Sequence, residues 1–113
     1  MKLWIDDVRP APEGYLLCKT VNDAKDIIEL MELMFGDYSL YYPITGESIK
    51  HYIELIDIDH DAGDYASDGG DYIKLLDWLE ETGRNYPIHI HSMNPVGVEN
   101  MRRIIQRNGW KEV

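Results

Sequence analysis

Residues 52–63 read Tyr52-Ile53-Glu54-Leu55-Ile56-Asp57-Ile58-Asp59-His60-Asp61-Ala62-Gly63. An apolar run of Ile53, Leu55, Ile56 and Ile58 drives into a polar cluster of Asp57, Asp59, His60 and Asp61. The run is rich in β-branched residues and only strand-length, which predicts a buried strand. Gly63 lets the chain turn where that strand ends. In open α/β sheets, ligands sit outside the carboxyl ends of the strands. Carboxylates crowded at such an edge repel one another, and a divalent cation or a bound substrate would offset that repulsion.

Other segments bring polar groups to the same edge. Leu3–Ile5 is a short apolar run followed at once by Asp6 and Asp7, which predicts a first buried strand with two carboxylates at its carboxyl end. Val8-Arg9-Pro10-Ala11-Pro12-Glu13-Gly14 is a stiff loop, because two prolines and a glycine exclude a helix. Tyr15–Lys19 is a second strand. Thr20 or Asn22 then caps a helix over Asp23–Met34, with Ala24, Ile27, Ile28, Leu30, Met31 and Met34 at helical spacing and Gly36 at its end.

Past the organising strand, Asp64–Asp71 is a loop with two glycines, and its spacing does not match an EF-hand. Tyr72–Glu81 is a second helix. Pro87–Ser92 alternates, so His89 and His91 share one face of a strand and Ile88 and Ile90 the other. Met93–Gly97 reads as a turn, Glu99–Arg107 as the last helix, and Trp110–Val113 as a short closing edge strand.

Strands alternating with helices imply parallel pairing with right-handed crossovers. The fold class expected is α/β, a small doubly wound, mainly parallel sheet of receiver/flavodoxin-like topology. The 113 residues suit a single domain over 1–113. The 36–51 segment stands out as an insertion or surface hairpin. Its Tyr38, Tyr41 and Tyr42 suit cover for a core edge better than stacking on RNA bases.

Composition narrows the function classes. A hydrophobic content of 44% fits a folded chain rather than a disordered one. The formal net charge of −10 argues against general binding to nucleic-acid backbone, which needs Lys and Arg to neutralise phosphates, but leaves a small phosphate ligand or an RNA end open. With Cys18 alone, no intramolecular disulfide forms, and an inert buried thiol is expected. The start at Met1–Asp7 has no signal-peptide pattern and no apolar run reaches spanning length, so no membrane partner is expected and the cytoplasm is the expected compartment.

Three strand ends thus converge: Asp6 and Asp7; Asp59, His60 and Asp61; His91, Ser92 and Asn94. Asp6, Asp7 and Asp59, with Asp61 as a further ligand, suit a hard cation such as Mg or Mn. His60 and His91 suit general acid–base work, because histidine titrates near neutrality. Ser92 and Asn94, near the amino end of the last helix, suit phosphate oxygens. Arg9 suits a bidentate phosphate grip, or neutralisation of Asp6 and Asp7. His51 and His89 are read as structural.

Ile5-Asp6-Asp7-Val8-Arg9-Pro10-Ala11-Pro12-Glu13-Gly14-Tyr15, Asp59-His60-Asp61 and His91-Ser92-Met93-Asn94-Pro95-Val96-Gly97 with Glu99-Asn100-Met101 resemble the cyclic-phosphate-processing receiver-like domain family. That family is related to response-regulator receiver domains. The resemblance implies that Asp6 and Asp7 match the receiver's acidic metal pair and that Asp59 matches its phosphoacceptor. It also implies hydrolase action on cyclic phosphates at nucleotide or RNA ends, hence RNA processing, with His60 and His91 as catalytic groups. Two rivals stand beside this phosphoesterase: a signalling receiver phosphorylated on Asp59, and a non-catalytic module binding a phosphate or nucleotide. The chain has Ala62 where the family has a larger aliphatic residue, and no counterpart of the receiver's lysine at the end of its last strand.

Overall fold

A computed structural model describes residues 1–36 and 53–113 of the chain. Four short strands, β1 (Lys2–Ile5), β2 (Tyr15–Cys18), β3 (Leu55–Ile58) and β4 (Ile88–Ile90), run parallel in the order β2-β1-β3-β4. Among the described residues, three helices, α1 (Val21–Gly36), α2 (Ile73–Glu81) and α3 (Pro95–Asn108), accompany them, with a 3-10 turn at Gly63–Ser67. This is the strand order of the receiver/flavodoxin-like α/β fold. The organising stretch forms β3 at the sheet centre, as its β-branched run requires. Apart from Gly36, which ends α1, the 36–51 segment lies outside the described residues, and so do its tyrosines.

Register explains the core. Leu3, Ile56 and Ile88 lie side by side, as do Ile5, Ile58 and Ile90. All but Ile90 are fully buried. Val21, Ala24 and Ile28 of α1, Leu75, Leu76 and Leu79 of α2, and Met101, Ile104 and Ile105 of α3 close over them. Each such Leu or Ile contributes about 1.5–3 kcal/mol through burial.

The connections decide which face the helices cover. β2→β3 and β3→β4 step across the sheet in the same direction, so right-handed crossovers place α1 and α2 on the same face. The helices form one layer in which α1 packs on α2 and α2 on α3. The β1→β2 step runs the opposite way, and segment 6–14 makes it without a helix. Pro10, Pro12 and Gly14, the last at φ +85°, suit that loop and no helix. The opposite face of the strands carries Lys2, Trp4, Tyr15, Asp57 and His89 by alternation.

The helix ends follow local rules. Thr20 Oγ accepts the Asp23 N–H at 2.9 Å, so Thr20 is the cap of α1. Thr20→Ala is expected to destabilise the fold by about 1 kcal/mol; an unchanged midpoint in denaturant unfolding would contradict that. α3 begins at Pro95, earlier than the expected Glu99. The Met93–Gly97 stretch is a helix start rather than a free turn: Asn94 caps it by accepting the Gly97 N–H at 3.1 Å, and proline suits the first helical position. Gly109, left-handed at φ 66°, ends α3. The expected closing strand is reduced to one parallel bridge, Ile88 with Glu112.

Cys18 is buried. Burial, with the Asp23 charge nearby, pushes its thiol up to about 11, so the sulfur stays protonated at neutral pH. No described helix is long and apolar enough to cross a membrane.

Candidate functional site

The order β2-β1-β3-β4 reverses direction between β1 and β3, and ligand sites of open α/β sheets form outside the strand ends at that point. Asp6 and Asp7 follow β1, and Asp59 follows β3. The ladder runs one step past the strands, through the Asp59 N–H to the Ile5 carbonyl at 2.9 Å, which holds the two ends together. One carboxylate oxygen from each of Asp6, Asp7 and Asp59 lies within 4.8 Å of the others. Among the described residues, these three are the group that could hold a cation. Gly63 passes close above them: at φ +56° a Cβ there would lie 2.6 Å from Asp7 Oδ2, so glycine is required on both counts.

The three carboxylates differ in support. Asp6 is 0% exposed. Its Oδ1 accepts the N–H groups of Val8 at 3.0 Å and Arg9 at 3.2 Å, and its Oδ2 accepts His91 Nε2–H at 2.8 Å. Burial alone would raise its pKa, but these N–H groups and the His91 charge outweigh burial and hold it below the ordinary value. Asp7 goes the other way: burial, then the neighbouring Asp6 and Asp59 charges, raise it. Asp59 is 9% exposed and accepts the His60 N–H at 2.8 Å.

His91 bridges two carboxylates. Its Nδ1 lies 2.6 Å from Asp57 Oδ1 and its Nε2 2.8 Å from Asp6 Oδ2. An ionised carboxylate only accepts, so between two ionised aspartates the ring donates from both nitrogens, as an imidazolium. Burial opposes that charge, but the hydrogen bonds to Asp57 and Asp6 and their charges prevail and raise the His91 pKa. The ring also stacks on Trp4, 3.8 Å between centroids and 3° from parallel.

The Arg9 guanidinium donates to the His91 carbonyl at 2.6 Å and lies 3.9 Å from Asp6 Oδ2. It therefore ties segment 6–14 to the end of β4 beside Asp6. Trp4 Nε1–H completes that tie through the Arg9 carbonyl at 3.1 Å.

A second group gathers at the start of α3. His60 Nδ1 pairs with Asp61 Oδ1 at 2.8 Å, and the His60 ring rests on Gly97. A Cβ on Gly97 would come within 2.6 Å of His60 Cδ2. The Asp61 side chain is 60% exposed and faces Asn94 Nδ2 at 3.4 Å, so it stands with His60 rather than in the triad. Ser92 Oγ accepts the Asn94 N–H at 3.1 Å, and Asn94 Oδ1 caps α3. Ser92 and Asn94 thus shape the turn beside His60. The two groups join through the peptide between Asp59 and His60.

Three residues of this region are not among the site residues expected from the sequence, although Asp57 belongs to the polar cluster of the organising stretch. Asp57 and Trp4 sit on the face opposite the helices, and strand alternation carried that signal, since Asp57 pairs in register with both Trp4 and His89. Buried Tyr72 donates to the Lys19 carbonyl at 2.7 Å. Burial, then the Asp7, Asp6 and Asp59 charges, raise its pKa, which marks it as a neighbour of the triad. No local pattern announced it.

No curated protein and no solved structure matches the chain. One family model, described as the cyclic-phosphate processing receiver domain, matches residues 1–107, and with that span the chain belongs to the cyclic-phosphate processing receiver domain family.

Proposed function

We propose that the chain hydrolyses a cyclic phosphate ester, of the kind carried by 2′,3′-cyclic nucleotides and by RNA ends, to a phosphomonoester. The observation that carries this reading is the triad of Asp6, Asp7 and Asp59 at the β1/β3 edge with His60 following Asp59 directly. Family membership supports the substrate class.

The triad offers oxygen donors only, which fits Mg or Mn. Asp7, raised by burial and by its neighbours' charges, marks repulsion that a cation would relieve. A divalent cation bound there would offset the carboxylate charge and polarise a phosphoryl oxygen. Asp61 on Nδ1 fixes the His60 tautomer, which leaves Nε2 to take a proton. In this reading a water oxygen attacks phosphorus while His60 Nε2 accepts its proton. The bond from phosphorus to one ring oxygen breaks, and His60 returns the proton to that leaving oxygen. Both His91 nitrogens are engaged, so His91 acts through Asp6, fixing it and offsetting its charge.

The test is chromatography of a 2′,3′-cyclic nucleotide after incubation with the protein, with Mg²⁺, with Mn²⁺ and with EDTA. A monoester that forms with cation and not with EDTA is expected. A ligand-dependent rise in melting temperature without product would replace the enzyme by a binding module. A base-labile acyl phosphate on Asp59 after acetyl phosphate treatment, without turnover, would replace it by a signalling receiver.

A further inference from the structure

Building on the cation-assisted reading above, we infer that Asp57 is a positioning residue: through His91 it holds the Asp6 carboxylate in the orientation the cation site needs. Asp57 lies mid-strand in β3, between Ile56 and Ile58, and is 6% exposed. A carboxylate in such a place is strongly unfavourable unless it is partnered. Its partner is His91 Nδ1, from the adjacent strand, at 2.6 Å. Asp57 pairs in register with His89, so His91, two residues on, lies on the same face one step nearer the carboxyl edge.

That step sets the reach of the ring. With Nδ1 on Asp57, Nε2 points across β3 to the end of β1 and meets Asp6 Oδ2 at 2.8 Å. Trp4 of β1 lies flat against the ring, and Arg9 holds the His91 carbonyl. The ring is therefore gripped by groups from β1, β3 and segment 6–14 and cannot turn freely. Asp6 is then fixed at both oxygens, Oδ1 by the Val8 and Arg9 N–H groups and Oδ2 by His91. A ligand held in this way needs no reorganisation when the cation arrives, which is how partners outside the coordination shell raise affinity.

The experiment compares Mn²⁺ binding by calorimetry in the wild type and in Asp57→Asn, with imidazole ¹⁵N NMR and melting temperature recorded for each without metal. Asparagine keeps the shape and a carbonyl acceptor but removes the charge. Mn²⁺ affinity is expected to fall about 10–100-fold, with a shifted His91 Nδ1 resonance. Unchanged affinity in folded Asp57→Asn would overturn the inference and leave the hydrolase reading standing. Weaker binding with an unmoved His91 resonance would overturn the route through His91. Should Asp57→Asn not fold, Trp4→Leu loosens the same ring and is judged by the same readouts. A wild type that binds no Mn²⁺ would overturn both the inference and the cation-assisted reading.

Discussion

His60→Ala is expected to lower turnover of a 2′,3′-cyclic nucleotide by about 10²–10⁴-fold, the range for loss of a general acid–base group, while the chain stays folded. The His60 side chain is 16% exposed, adds nothing to the apolar core, and rests against Gly97. The backbone N–H of His60, which supports Asp59, survives the substitution. Nucleotide affinity and melting temperature should therefore change little while the rate falls. Steady-state kinetics beside thermal unfolding separates these effects. Wild-type turnover in folded His60→Ala would remove His60 from the mechanism.

Gly97→Ala should approach the same loss by displacing the ring rather than deleting it. Helix propensity favours alanine over glycine by about 0.8–1 kcal/mol within α3. Sterics oppose it, since the new Cβ would lie 2.6 Å from His60 Cδ2 and 2.8 Å from Nδ1. Besides Gly97 the ring is held by its hydrogen bond to the exposed Asp61 side chain, so it swings aside at the loss of that bond and the helix survives. Net stability is expected within about 1 kcal/mol of wild type, with turnover down about 10²-fold, the scale of a misplaced catalytic group. Adding Gly97→Ala to His60→Ala should cause no further loss, because both changes act on one ring. A folded Gly97→Ala with wild-type turnover would show that the seat of the ring is immaterial.

What could be read in advance was local. The apolar run ending at Ile58 identified the central strand, and Ile5-Asp6-Asp7 identified its neighbour, because strand length and β-branching are properties of a few adjacent residues. Those two local patterns suffice to put Asp6, Asp7 and Asp59 at one edge of the sheet, where the structure has them. The start of α3 is equally local but ambiguous in sequence: Pro95 suits a turn, yet with the capping residue Asn94 before it proline also suits the first helical turn, and the helix starts there. Contacts between distant segments were a different matter. His91 meets Asp6 and Asp57 only because β1, β3 and β4 lie in that order and register. The exposure of Asp61 follows from where His60 leans on α3, which depends on the packing of a helix far along the chain. The prolines of segment 6–14 announce a stiff loop, but its grip on Asp6 through the Val8 and Arg9 N–H groups follows from the path of the backbone.

The most direct measurement is phosphorus NMR of a 2′,3′-cyclic nucleotide incubated with the protein and Mg²⁺ in water partly enriched in oxygen-18. Attack of water on phosphorus at this site should convert the cyclic signal to a monoester signal split by incorporation of one heavy oxygen, and His60→Ala should leave the cyclic signal in place. A cyclic signal that persists with the folded wild-type protein and Mg²⁺ would contradict the hydrolase reading.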